Sequence, residues 1–256
     1  VLIIGGSGCE LNNSEIVKEE QAAHDEWLRW RKEFLAEQEL PTEYSELSSR
    51  QQTAVKRIYE MLMYLEDKYG ITFQYTGYVE PQILEIEHLT AIPEGGNEKT
   101  DTVTVTCEDD GTFTDDYPNV VVRPYYEQMI TDYVKDYFGS DKVRVFSTVT
   151  ETTIDDFNNI SEEKMKGNIY SKNIIFININ LGTKESIKKF AENYCLWLKE
   201  NDISCDSQIM LLYNPNISLI NRENYSDYFG KEHIELRLIC YVEKNGEIQI
   251  SEREVR

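Results

Sequence analysis

Apolar residues recur along this chain at two periods, and the switches between them mark out its elements. Ile16, Ala23, Trp27, Trp30 and Phe34 fall at helical spacing. They predict a helix from a Ser14 cap to about Glu39, ended by Leu40-Pro41-Thr42. Ser48 and Gln51 have the spacing of a capping box. It opens a second helix with the stripe Val55, Ile58, Leu62, Leu65 and Tyr69, closed at Gly70. The period then drops to two. Ile71, Phe73 and Tyr75 predict a half-buried strand, Leu84–Leu89 another, and Val103, Val105 and Cys107 a third. Asp110-Gly111 is a hairpin turn into Thr112–Asp116, with Val120–Val122 continuing the sheet. Pro124 is then expected to start a helix carrying Tyr126, Ile130, Tyr133 and Tyr137, stopped by Gly139. Val143–Val149 reads as a further strand.

Residues 151–168 are polar and read as a linker. Beyond them Ile174–Leu181 is an almost unbroken apolar run, expected to be a central strand. Thr183 caps a helix carrying Ile187, Phe190, Tyr194 and Trp197, and Gln208–Tyr213 follows as a strand. Ile234, Leu236, Leu238, Cys240 and Val242 alternate most clearly of all, and Asn245-Gly246 turns that strand into Glu247–Ser251. Runs of strands around single long helices indicate an α+β fold. The expectation is N-terminal helices, then a mixed or antiparallel sheet with helices packed on one face, organised as two similar subdomains. The divisions are a residual signal tail at 1–9, a tether and first helix at 10–47, α+β subdomains at 48–150 and 169–256, and the linker between them.

The first nine residues bear on location. Val1–Ile4, then Gly5-Gly6-Ser7-Gly8, then Cys9 and a polar stretch resemble the tail of a bacterial lipoprotein signal peptide. Such proteins are lipidated on the cysteine and cut just before it, so the resemblance implies lipidation of Cys9 and a basic segment upstream of Val1. Gly6 departs from the pattern, which has an apolar residue at that position. Two acyl chains on Cys9 would hold a protein stably on a membrane. A rival reading takes Val1–Ile4 and Gly6-x-Gly8 as the strand and turn of a dinucleotide-binding fold. There Leu11 stands where the third glycine belongs, and a helical pattern follows where a second strand is needed.

Charge narrows the partners. Asp and Glu outnumber Lys and Arg 47 to 26, for a formal net charge of -21. That surface repels phosphate backbones, so no nucleic acid is expected as a partner. No stretch reaches the ~18 apolar residues of a membrane-spanning helix, which predicts a soluble body. Cys107, Cys195, Cys205 and Cys240 show no Cys-x-x-Cys spacing; four thiols permit two disulfides without requiring them, and buried free thiols fit the strand patterns around Cys107 and Cys240.

Candidate chemistry is thin. His24, His88 and His233 sit in no nucleophile or zinc motif, and each is read as a surface or satisfied core residue. Glu108-Asp109-Asp110-Gly111 with Asp115-Asp116 is the densest acidic cluster. Its order does not match a calcium loop, and a tight hairpin explains Asp-Gly. Trp27 and Trp30, and Tyr125 and Tyr126, have the spacing of helix-docking aromatics as much as of ligand-stacking ones. Asn12, Asn216 and Asn224 head glycosylation triplets that matter only in a eukaryotic secretory route. No catalytic, cofactor or metal-binding residue is assigned; the one assigned site is Cys9.

A helix ending Leu65-Glu66-Asp67-Lys68-Tyr69-Gly70, an aspartate-tipped hairpin, and Val122-Arg123-Pro124-Tyr125-Tyr126 opening a helix together resemble uncharacterised lipoproteins of Gram-positive bacteria, over Ser48–Phe138. The resemblance implies a lipid-anchored protein on the extracytoplasmic side of the cell membrane and carries no activity with it. The expected role is binding of a small ligand or a protein. An envelope hydrolase with an acidic active site is the alternative.

Overall fold

The computed structural model describes residues 13–213 and 217–254. Val1–Ile4 and Cys9 lie outside them. The described chain forms an α+β fold of two sheets with helices against them. The first sheet is an antiparallel meander of β1 (Phe73–Val79), β2 (His88–Pro93), β3 (Val103–Cys107) and β4 (Phe113–Asp115). Helices α1 (Asn13–Glu37) and α2 (Ser49–Tyr69) precede it. Helix α3 (Tyr117–Phe138) leads into the second sheet, whose strands β5 (Val143–Thr152), β6 (Ile169–Asn178), β7 (Ser204–Leu212), β8 (Ile234–Val242) and β9 (Ile248–Glu252) lie in chain order. A short helix, α4 (Glu162–Met165), precedes β6. Among the described strands only β6 and β7 run parallel, and α5 (Lys184–Glu200) is the crossover that a parallel pair requires. Among the described residues no helix is long and apolar enough to cross a membrane.

The capping box at Ser48 forms as its spacing predicts: Gln51 N–H donates to Ser48 Oγ, and Ser48 N–H to Gln51 Oε1 at 2.9 Å. Gly70 closes α2 at φ 68°. Val55, Ile58, Leu62 and Leu65 of its stripe are buried, with Met61, against Leu89, Ala91, Val103 and Val105 of the sheet. On α1 the aromatic members of the expected stripe dock, and Ala23 does not. Trp27 and Trp30 pack on Tyr59 at 4.9 and 5.0 Å, Phe34 is buried, and Ala23 is exposed.

Three expectations need correction. Val120–Val122 is helical, because α3 starts at Tyr117 with Pro118 in its first turn, where a proline's missing N–H costs nothing. Pro124 therefore lies inside the helix rather than at its start. The Leu84–Leu89 strand begins only at His88, and Ile83, Leu84 and Ile86 are exposed in the turn before it. The third concerns residues 151–168. They join β5 to β6, which pair antiparallel from Val143↔Ile177 to Thr152↔Ile169, so they connect neighbouring strands of one sheet and do not separate subdomains. The break falls earlier: Val122, Tyr126, Ile130 and Val134 of α3 share a core with β5–β8.

That core is sealed by α3 and α5 over one face of the second sheet. Leu236, Leu238, Cys240 and Val242 alternate into it as expected. Ile234 is buried too but on the opposite face, with Phe146, Phe176 and Met210, because a register shift at Leu211/Leu212 turns the strand's start over. A polar knot lies inside the apolar layer. Asn173 accepts from Ser147 Oγ at 2.7 Å and donates towards the hydroxyls of Tyr126 at 3.0 Å and Tyr194 at 3.2 Å, while Ser171 Oγ donates to Tyr126 at 2.7 Å. Every member is buried, so each polar atom has to find its partner inside. Cys195, Cys205 and Cys240 are buried free thiols beside this knot, and burial pushes the Cys205 thiol up to about 12.

The two sheets are joined at Asp115-Asp116. The Asp115 carboxylate is inaccessible and accepts from Tyr64 (2.8 Å), Lys68 (2.7 Å), Tyr69 (2.7 Å) and the Tyr117 N–H (3.1 Å). Asp116 accepts from the Thr104 N–H at 2.6 Å. Tyr117 packs on Tyr69 and Phe73, with ring centroids at 4.5 and 5.2 Å. Burial pushes the Asp115 carboxyl up, but hydrogen bonds from Lys68, Tyr69 and Tyr64 outweigh it and hold it below the ordinary carboxylate value. Asp116 goes the other way, raised by burial.

Two outcomes follow for stability. Leu238→Ala empties a fully packed site and should cost about 2–5 kcal/mol in a denaturant titration; a loss below about 1 kcal/mol would contradict the packing described. Asp115→Asn should cost about 1–3 kcal/mol at neutral pH. Because the folded carboxyl of Asp115 is depressed, its contribution is present above the unfolded value of about 3.9 and is lost as pH falls through the folded one. The variant should therefore lose stability less steeply than wild type below about pH 4, as measured by urea midpoints across pH. Parallel acid limbs in the two proteins would refute this role for Asp115.

Candidate functional site

The junction leaves a cleft of about 540 Å³ between the sheets, within the size range of small-ligand sites. Four segments line it: Lys99, Thr100 and Thr102 from the loop before β3; Asp116, Asn119, Val120 and Arg123 from the start of α3; Thr148–Thr150 from β5; and Arg222, Tyr225 and Ser226 from the loop before β8.

Local bonding sets each wall. The loop before β3 is wound on itself: Asp101 Oδ2 accepts from the Asn97 N–H at 2.8 Å, and Asn97 Oδ1 from the Lys99 N–H at 2.9 Å. Side chains of this kind replace the hydrogen bonds of a regular element. Arg123 pins the loop to α3 by donating to Asp101 Oδ1 at 2.7 Å and to the Thr100 carbonyl. Asn119 Nδ2 reaches across to the Thr150 carbonyl at 3.1 Å, tying α3 to β5. Arg222 pairs with Glu127 and donates to the Ser147 carbonyl at 3.2 Å, which brings the fourth segment in.

Three basic side chains and one acidic one thus border the cleft in a chain of net charge -21. The Asp101 and Glu127 carboxylates are held by arginines, and burial raises Asp116. The remaining lining is hydroxyls, one amide, two valines and the Tyr225 ring. This chemistry suits orientation of a polar ligand by hydrogen bonds. Acid–base hydrolysis needs a second titratable group placed against the first, and the lining offers Asp116 without a histidine or another carboxylate.

The candidates read from sequence fall elsewhere. His24 is exposed on α1. His88 Nδ1 lies 2.9 Å from the Ile86 carbonyl. His233 packs on Tyr228, with ring centroids 5.3 Å apart. The acidic cluster is divided between structural duties: Asp110 accepts from the N–H and hydroxyl of Thr112, Glu108 from Thr114, and Asp115-Asp116 build the junction. Among the described residues no group of three or more His, Cys, Asp or Glu could hold a metal ion. Trp27 and Trp30 dock α1 onto α2, and Tyr126 is in the polar knot while Tyr125 is exposed. Asn224 bonds within its own loop; Asn12 and Asn216 lie outside the described residues. Sequence reasoning assigned no role to Lys99, Arg123 or Arg222. They stand far apart in the chain, and the one local signal is the turn chemistry of Asn97-Glu98-Lys99-Thr100-Asp101.

No family model matches the chain, and no curated protein matches it. Among solved structures, the crystal structure of a DUF5037 family protein from Ruminococcus gnavus is similar over 61% of this chain and 75% of that one, at 11% identity and a TM-score of 0.31.

Proposed function

We propose that this chain is the body of a bacterial lipoprotein, held on the extracytoplasmic side of the cell membrane by a lipid on Cys9, and that it binds a small polar ligand in the cleft between its sheets. The cleft carries the binding half of this reading: hydroxyl, amide and guanidinium groups converge on a space of ligand size, with one carboxylate among them. The Ser7-Gly8-Cys9 sequence carries the anchoring half. An envelope hydrolase is the weaker reading, because both nearby carboxylates that would assist Asp116 are committed to arginines.

Two measurements test the halves separately. Expressed with its native upstream segment, the protein should incorporate an alkyne-tagged fatty acid and sediment with membranes, and Cys9→Ala should lose both properties. A wild type that stays unlabelled, or a variant that labels equally, would end the anchoring proposal. For the cleft, wild-type protein screened by thermal shift against monosaccharides, amino acids and dicarboxylates should respond to at least one class. Asn119→Ala and Lys99→Glu should weaken that response about tenfold, the value of one or two hydrogen bonds. A response that both variants leave unchanged would place binding elsewhere.

A further inference from the structure

A second pocket, of about 440 Å³, lies on the face of the second sheet away from α3 and α5, and shares no lining residue with the cleft. Gln208, Phe229, Arg237, Arg253 and Glu254 line it. Arg237 is on β8 opposite Met210 of β7, and the Arg253 N–H donates to the Arg237 carbonyl at 2.9 Å, so the two arginines rise from neighbouring backbone segments into one space. The loop that covers Phe146 and Phe176 on this face ends at Phe229, and the pocket opens where that cover stops.

The Arg237 guanidinium is held but not neutralised. Nη2 donates to the Phe229 carbonyl at 2.7 Å, and the group lies 5.6 Å from the Phe229 ring centroid. Its Nε is buried without a hydrogen-bond partner. Among the described residues neither Arg237 nor Arg253 forms an ion pair, although carboxylates exceed basic groups 47 to 26. Burial and the charge of Arg253 both press the Arg237 pKa down. Two guanidiniums lining one cavity, with no carboxylate paired to either among the described residues, form an electrostatic deficit that an anion would remove. The planar fork of a guanidinium matches two oxygens of a carboxylate or a phosphate.

We propose that this pocket is a binding site for a small organic oxyanion, its carboxylate or phosphate gripped by Arg237 and Arg253 and its apolar part laid against the Phe229 ring beside the Gln208 amide. Glu254 stands at the same pocket without pairing to either guanidinium, and it sets the rival occupant: the chain's own carboxylate.

The test uses the whole chain at low salt, with benzoate, phenyl phosphate and neutral benzyl alcohol as probes, read by isothermal titration and by the arginine Nε–H signals in an NMR spectrum. One of the anions should bind saturably and shift the Arg237 Nε–H signal, while benzyl alcohol does neither. Arg253→Gln, at an exposed position, should weaken binding about tenfold or more without unfolding the protein. Glu254→Gln should tighten it. Arg237→Gln should abolish it, and Arg253→Gln keeps the test decisive if that variant fails to fold. The carboxylate and phosphate arms identify the preferred head group. A wild type silent to both anions overturns the proposal, including the case in which only Glu254→Gln responds, since the chain's own carboxylate then fills the pocket. Binding undiminished in Arg253→Gln overturns it as well. Neither result bears on the cleft, whose variants are different residues.

Discussion

The placement of everything beyond β4 depends on one buried carboxylate. Asp115 collects two tyrosine hydroxyls and a lysine from α2 and the first amide of α3, so one side chain fixes where the first sheet ends and in which direction the next helix leaves. Burying an ion in this way is costly unless all its oxygens are satisfied, and here they are. Asp116 repeats the device with one backbone amide of β3 and loses on burial what Asp115 gains from its donors. The cleft is a result of this geometry. Its walls come from the loop before β3, the start of α3, β5 and the loop before β8, so its shape depends on the direction in which α3 leaves the junction.

Much of the fold was legible because it is local. Ser48 and Gln51 cap α2 within one turn, Thr183 caps α5 through the Ser186 N–H, and the alternation from Leu236 to Val242 states its own burial. The misreadings arise where two local signals compete. Pro118 and Pro124 both look like helix starts, and the choice is made by Val122 and Tyr126, which reach the core only if the helix is already under way at Tyr117. The segment Leu84–Leu89 reads as a strand, yet Leu84 and Ile86 stay in solvent because the ladder with β1 ends at Val79↔His88. Polarity made residues 151–168 look like a boundary, when the boundary is set by which sheet β5 joins, a long-range pairing with no local trace. The cleft residues were illegible for the same reason: Arg123 and Arg222 are brought together by tertiary structure alone.

Basic side chains are scarce here, and their distribution shows how an acidic chain folds. Arg57 takes Glu87 in a two-pronged bond at 2.9 and 2.7 Å, locking α2 to the sheet below it. Arg123 and Arg222 close the junction with one bond each to a carboxylate and one to a backbone carbonyl. Each of these pairs is partly buried and joins separate elements, a setting in which a charge pair fixes geometry more than it adds stability. Among the described residues Arg237 and Arg253 form no such pair, although they face one pocket together.

Helix α1 has a mechanical consequence. Every side chain from Gln21 to Glu26 is exposed, and from Trp27 onward the helix packs on the body through the aromatic contact with Tyr59. That exposed stretch keeps its form by helical backbone hydrogen bonds, with Gln21 Nε2 donating to Asp25 Oδ1 at 2.8 Å one turn on, and so behaves as a stiff rod. Its length and its phase are coupled: each residue adds about 1.5 Å of reach and about 100° of rotation. Removing one residue from this run would barely alter the helix's length, but it would turn the residues on its N-terminal side by about 100° around the helix axis.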